Sequence, residues 1–77
     1  MEMNTKSELD VKIGAEIRRR RLEQKRSQEA FADDCRIHRT YMSSIERGEK
    51  AVSVDMAKRV MTGLGTTLGE FFTSIGE

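Results

Sequence analysis

The chain has 77 residues, 36% of them apolar, and a formal net charge of +1, so it supports one domain with one small core. A lone cysteine excludes an internal disulfide, and one cysteine with one histidine argues against structural zinc, which leaves oligomerisation as the supplement to that core. No apolar run approaches membrane-spanning length, the N-terminus lacks the apolar segment of a secretory signal, and a single unpaired thiol suits a reducing compartment, so a cytoplasmic protein is expected.

The small net charge hides an uneven distribution. Between Arg18 and Lys50 basic residues outnumber acidic ones, while both ends lean acidic. Such a local cluster fits either a nucleic-acid surface or a solvated arginine-rich helix.

Residues 1–6 are polar and aperiodic, and a frayed tail is expected there, with Lys6 its one basic group; residues 7–77 form the single domain. Ser7 is placed to cap helix one, and Glu8 and Asp10 favour the dipole of its first turn. That helix is expected to run to about Gln24, with Ile13 and Ile17 on its inner face and Leu22 adding apolar area near its end. Ser27 caps helix two, Gln28 to Cys35, which puts Phe31, Ala32 and Cys35 on one face. Helix three runs from Arg39 to about Arg47, with Met42 and Ile45 inward and Ile37 anchoring the turn between the two helices. One apolar seam then holds both helices at a steep angle, and Ala32 is small enough to let them approach.

Helix three leaves Arg39, Thr40, Ser43, Ser44 and Arg47 outside. These short hydroxyls and long donors suit base edges and phosphates in a major groove. Arg39, at the N-terminal end, is the first candidate for bidentate guanine recognition, and Thr40 for a thymine methyl or a phosphate. Tyr41 either packs or reaches a phosphate through its hydroxyl. Gly48 can end the helix with positive φ. Glu29, Asp33 and Asp34 make an acidic patch on the outer side of helix two.

Helix four is expected to start after Ser53 and run to about Leu64, with Val54, Ala57, Val60, Met61 and Leu64 inward and Gly65 ending it. Thr67 and Glu70 form a capping-box pattern for helix five, whose Leu68, Phe71, Phe72 and Ile75 follow at helical spacing. Leu68 and Phe71 are assigned to the core. Phe72 and Ile75, with Met61 and Leu64, are assigned to a two-fold interface between copies of the chain.

The segments IGAEIRRRRLEQKRSQEAFA and RTYMSSIERGEK resemble the first two helices and the recognition helix of the phage-repressor and Cro-like helix-turn-helix family. The likeness extends from about Ile13 to Phe72. RLEQ, SQEAFA and RTYMSSIERG together resemble the controller proteins of restriction-modification systems. The resemblance implies an all-α, five-helix, lambda-repressor-like DNA-binding domain. It also implies a partly buried ion pair between Arg21 and Glu46, and a Gln28 that contacts a phosphate and buttresses the recognition helix. By the same analogy Ser43 is the better base-reader of the two serines, and Lys50 lies in a loop pressed against the DNA backbone.

The sequence departs from the family at four positions. Lys25 stands where relatives often have a helix-ending glycine, and Arg26 where they often have an apolar residue, so both are expected to reach a phosphate backbone instead. Arg36 occupies a turn position usually held by glycine and is expected to be left-handed at a cost of about 1 kcal/mol. His38 replaces the usual serine or aspartate cap and is assigned to a phosphate or a base.

The function implied is sequence-specific binding of duplex DNA as a homodimer on a palindromic operator, in an autoregulatory controller. The acidic patch is a candidate contact for RNA polymerase. No metal, cofactor, small-molecule ligand or membrane is expected as a partner. A phage-type repressor or an antitoxin is the alternative within the class, and a protein-interaction module that has lost DNA binding is the alternative outside it. An enzyme has no support, because no nucleophile–base pair, paired carboxylates or phosphate-binding loop is present.

Overall fold

The structure, a computed structural model, describes residues 7–77; the expected tail at residues 1–6 lies outside them. Five helices follow one another in this span: α1 Glu8–Glu23, α2 Gln28–Cys35, α3 Arg39–Glu46, α4 Val54–Leu64 and α5 Leu68–Ser74. The starts are chemical. Ser7, Ser27, Ser53 and Thr67 each accept the backbone N–H three residues on, at 2.9, 3.1, 3.1 and 3.1 Å. Glu70 does not complete a reciprocal capping box with Thr67; its carboxylate accepts from the Thr66 hydroxyl instead, at 3.2 Å.

The ends are conformational. Lys25 and Arg36 take left-handed φ of 58° and 59°, which non-glycine residues adopt only at a cost. At Arg36 the turn keeps its pairing, because the residue's own N–H caps Asp33 and the next N–H, of Ile37, returns to Ala32. α3 closes one residue earlier than its apolar pattern suggests, with Arg47 as its C-cap, and Gly48 then turns the chain at φ 75°.

The core is formed by Ile17 of α1, Phe31, Ala32 and Cys35 of α2, Ile37 of the turn, Met42 and Ile45 of α3, Val60, Met61 and Leu64 of α4, and Phe71 of α5. Burial pushes the Cys35 thiol up to about 11, as befits a small hydrophobe and not a reactive thiolate. Of the residues given an inward or apolar role, Ile13, Ala57 and Leu68 are half-buried and two are exposed. Val54, the first residue of α4, is 71% exposed, and Leu22 is 47% exposed in the last turn of α1.

The joint between α1 and α3 rests on Gly14. A Cβ there would lie 2.2 Å from the Ile45 carbonyl oxygen and 2.8 Å from that of Glu46. Only glycine lets α1 lie directly on the backbone of α3. The sequence signal was an isolated glycine within a helical pattern, which commonly marks close packing.

Two core margins are closed by arginines. The Arg20 guanidinium lies 5.3 Å from the Phe71 ring centroid. That of Arg26 lies 4.7 Å from Phe31 and donates to the Gly63 carbonyl at 2.6 Å and to Gln24 at 2.9 Å, while pairing with Asp34. Arg26 therefore bridges α2 and α4 with its guanidinium and is engaged within the molecule, not with a phosphate backbone as expected from sequence. Arg26 engages Asp34, so Glu29 and Asp33 are the members of the acidic patch of α2 without an ion-pair partner among the described residues. Met61 and Leu64 also part from expectation. They are 5% and 6% exposed within one copy of the chain, because α2 and α5 cover them, and little of either remains for an interface.

Candidate nucleic-acid interface

Met42, Ile45 and Glu46 face inward from α3, which sets the opposite side of the helix toward solvent. Arg39, Thr40, Ser43 and Arg47 from that side, with Gln28 from the start of α2, line a polar recess of about 230 Å³. Ser44 does not share it; its hydroxyl is turned back on the Thr40 carbonyl at 3.3 Å. Among the described residues Arg39 has no ion-pair partner, so its fork of donors is unspent.

The recess has a rigid back wall. Arg21 grips Glu46 with two parallel hydrogen bonds, Nε to Oε2 at 2.8 Å and Nη2 to Oε1 at 2.9 Å. The two side chains are 8% and 2% exposed. Gln28 donates to Glu46 Oε1 at 3.1 Å, and Arg21 Nη1 donates to the Arg26 carbonyl at 3.0 Å. The hydrogen bonds to Glu46 raise the pKa of Arg21 further, so its charge is permanent. One carboxylate of α3 thus ties together α1, the link after it and the start of α2, and fixes how α3 is presented. Gln28 thus lines the recess while its side-chain amide is tied to Glu46.

His38 Nδ1 accepts the Thr40 N–H at 3.2 Å, so the ring caps the helix. This role uses Nδ1 as an acceptor and leaves Nε2 of the exposed ring outside the cap, so it does not displace the assignment to a phosphate or base.

At the other end of α3, Arg47 donates to the Ser43 hydroxyl, to the Ser44 hydroxyl at 3.5 Å and to Glu49 Oε1 at 2.9 Å. The Tyr41 hydroxyl reaches the Ala51 carbonyl at 3.5 Å, and Lys50 Nζ lies 6.0 Å from the Tyr41 ring centroid. These contacts join the loop after α3 to the helix itself. Lys25 is exposed at the α1–α2 link. Glu29 and Asp33 are exposed on α2, while Phe72 and Ile75 are half-buried on α5. The Phe72 ring packs edge-on to Phe71 with centroids 5.6 Å apart. Sequence reasoning missed Gln24, which donates to the Leu64 carbonyl at 2.9 Å and ties the end of α1 to that of α4. No local pattern marks such a contact.

Residues 17–71 match a family model described as helix-turn-helix. The chain is 37% identical over 70 residues to the control protein C.MunI of Mycoplasma sp., covering 90% of this chain and 95% of that protein. It is 41% identical over 67 residues to the control protein C.BamHI of Bacillus amyloliquefaciens, covering 83% of each. Among solved structures it superposes on the restriction-modification controller protein C.Esp1396I, captured as a tetramer with its natural 35-base-pair operator. There the TM-score is 0.83 and the identity 31%, over 91% of this chain and 92% of that one. With these likenesses spanning α1 to α5, the chain belongs to the helix-turn-helix family, in its group of restriction-modification control proteins.

Proposed function

We propose that the protein binds duplex DNA in a sequence-specific manner, as a homodimer on a palindromic operator, and controls transcription of a restriction-modification system including its own gene. The observation that carries this reading is the polar recess on the outer side of α3, backed by the Arg21–Glu46–Gln28 tie. It presents donors and hydroxyls on a helix end of groove-fitting width while the apolar side of that helix is fully used inside. Arg39 is the lead base-reading residue, with Thr40, Ser43 and Arg47 beside it. The Gln28 end of α2, Tyr41, Lys25 and Lys50 serve the phosphate backbone.

The half-buried Phe72 and Ile75 supply the centre of a two-fold interface, and two heads related by it engage half-sites about one helical turn apart. Glu29 and Asp33 are the residues of α2 offered to RNA polymerase. C.Esp1396I, solved as a tetramer on its operator, supports multimeric binding by this chain as well.

The test is selection of bound duplexes from a random pool, with wild type and Arg39→Ala in parallel. A palindrome is expected to emerge from the wild type. Arg39→Ala is expected to lose one base preference and about 1–3 kcal/mol of discrimination at that position. Sedimentation of Ile75→Asp tests the dimer, which is expected to dissociate with the fold intact. A monomeric wild type at operator-binding concentrations overturns the two-fold arrangement.

A further inference from the structure

Arg47 carries the least straightforward geometry of the recess. Its Nη1 donates to Ser43, and its Nη2 donates to Ser44 and to Glu49. Three of its five N–H donors are therefore turned inward, and both hydrogens of Nη2 are occupied. A two-pronged contact with a base edge or a phosphate uses Nη2 in either approach, end-on with Nη1 or side-on with Nε. The fork is closed in this state. The Arg47 and Glu49 side chains are 53% and 42% exposed, so the pair is solvated and readily exchanged. Glu49 is also an anion within the surface assigned to DNA, where a carboxylate opposes phosphate.

We propose that Glu49 is a specificity-determining latch: it holds Arg47 as an internal counter-anion, so that phosphates of any sequence do not recruit this arginine and only a duplex offering a matched acceptor releases it. This rests on the reading of α3 as the DNA-contacting helix. The latch converts Arg47 from a general electrostatic contact into a conditional one. It leaves Arg39, whose donors are unspent, to act first. The hydrogen bond to Glu49 also raises the Arg47 pKa, so the arginine keeps its charge and the latch responds to ligands and salt.

The experiment is a salt titration of binding to the selected operator and to a scrambled duplex of equal length, using wild type, Glu49→Gln, Arg47→Ala and the double variant. Glu49→Gln is expected to bind scrambled duplex roughly two- to fivefold tighter, the range of an exposed ion pair. Its slope of log affinity against log salt on that duplex is expected to steepen by about 0.9, the signature of one added phosphate contact. In the Arg47→Ala background the same substitution is expected to leave the slope unchanged. An equal effect of Glu49→Gln in both backgrounds overturns the latch, because it then reports only the loss of one negative charge. Unchanged scrambled-duplex binding in Glu49→Gln overturns it too. Failure of the wild type to bind any duplex removes the DNA-contacting role of α3, a different result from either. Thermal unfolding of each variant confirms that the folded state is compared throughout.

Discussion

Two arginine–glutamate pairs meet at the end of α3, one on each side of it. Arg21–Glu46 lies inside, with side chains 8% and 2% exposed and two parallel hydrogen bonds. Arg47–Glu49 lies outside, with side chains 53% and 42% exposed and Arg47 Nη2 donating to the carboxylate at 2.9 Å. The glutamates are three positions apart in one short segment, and the chemistry is the same. Burial alone separates them. Inside, neither partner can return to water without opening the joint of α1, α2 and α3, so the pair acts as architecture. Outside, water and phosphate compete for the same guanidinium, so the pair is exchangeable and suits a contact that must be made and broken.

The comparison breaks most severely if Glu46 is removed. Glu46→Ala leaves Arg21 buried and unpaired and Gln28 without its acceptor. A loss of about 3–5 kcal/mol is expected in urea unfolding, enough to unfold much of so small a domain. A loss below about 1 kcal/mol would place the inner pair in the same class as the outer one.

The inner joint is sharpened next by Gly14→Ala. The added Cβ meets carbonyl oxygens of Ile45 and Glu46 that belong to backbone and cannot swing aside, so a loss of about 1–3 kcal/mol is expected. The orientation of α3 moves with it, and operator affinity should fall further than stability accounts for. Gly69→Ala, at a helical glycine with open space around it, provides the control and should be neutral or slightly stabilising in the same melts.

The outer pair should be nearly silent in stability. Glu49→Ala is expected to change unfolding by less than about 1 kcal/mol, in contrast to its effect on DNA binding.

The smallest effect concerns a third cluster, on α1. Hydrogen bonds from Arg19, opposed by burial and joined by Arg20, lower Glu16 from 4.5 to about 2. Its folded-state value lies below its unfolded one, so the unfolded chain takes up the proton first. The stability Glu16 contributes is then present above 4.5 and lost as pH falls toward about 2. Melting temperature followed over that window should fall less steeply in Glu16→Gln than in wild type. Parallel curves would mean that the Arg19 and Arg20 contacts are lost to solvent.

Much of this arrangement was legible in the residues. Ser7, Ser27, Ser53 and Thr67 announce four helix starts, and the spacing of Phe31, Ala32 and Cys35 against Met42 and Ile45 announces the seam that turns Arg39, Thr40, Ser43 and Arg47 outward. Caps and periodicity are local, acting within one or two turns, so they survive in a linear reading. What tertiary structure decided is which edges of each face are covered. Arg26 reads as a cation for phosphate until α4 brings the Gly63 carbonyl and α2 brings the Phe31 ring to its guanidinium. Met61 and Leu64 read as interface until neighbouring helices bury them to 5% and 6%, and Val54 reads as core yet stays 71% exposed at the start of α4. His38 becomes a cap only where the turn presents the Thr40 N–H to its ring. Gly14 matters only because α1 descends onto the carbonyls of α3. A sequence sets the face a helix prefers to bury; the crossing of its neighbours sets how far that burial extends, and so which charged side chains become architecture and which stay available to a partner.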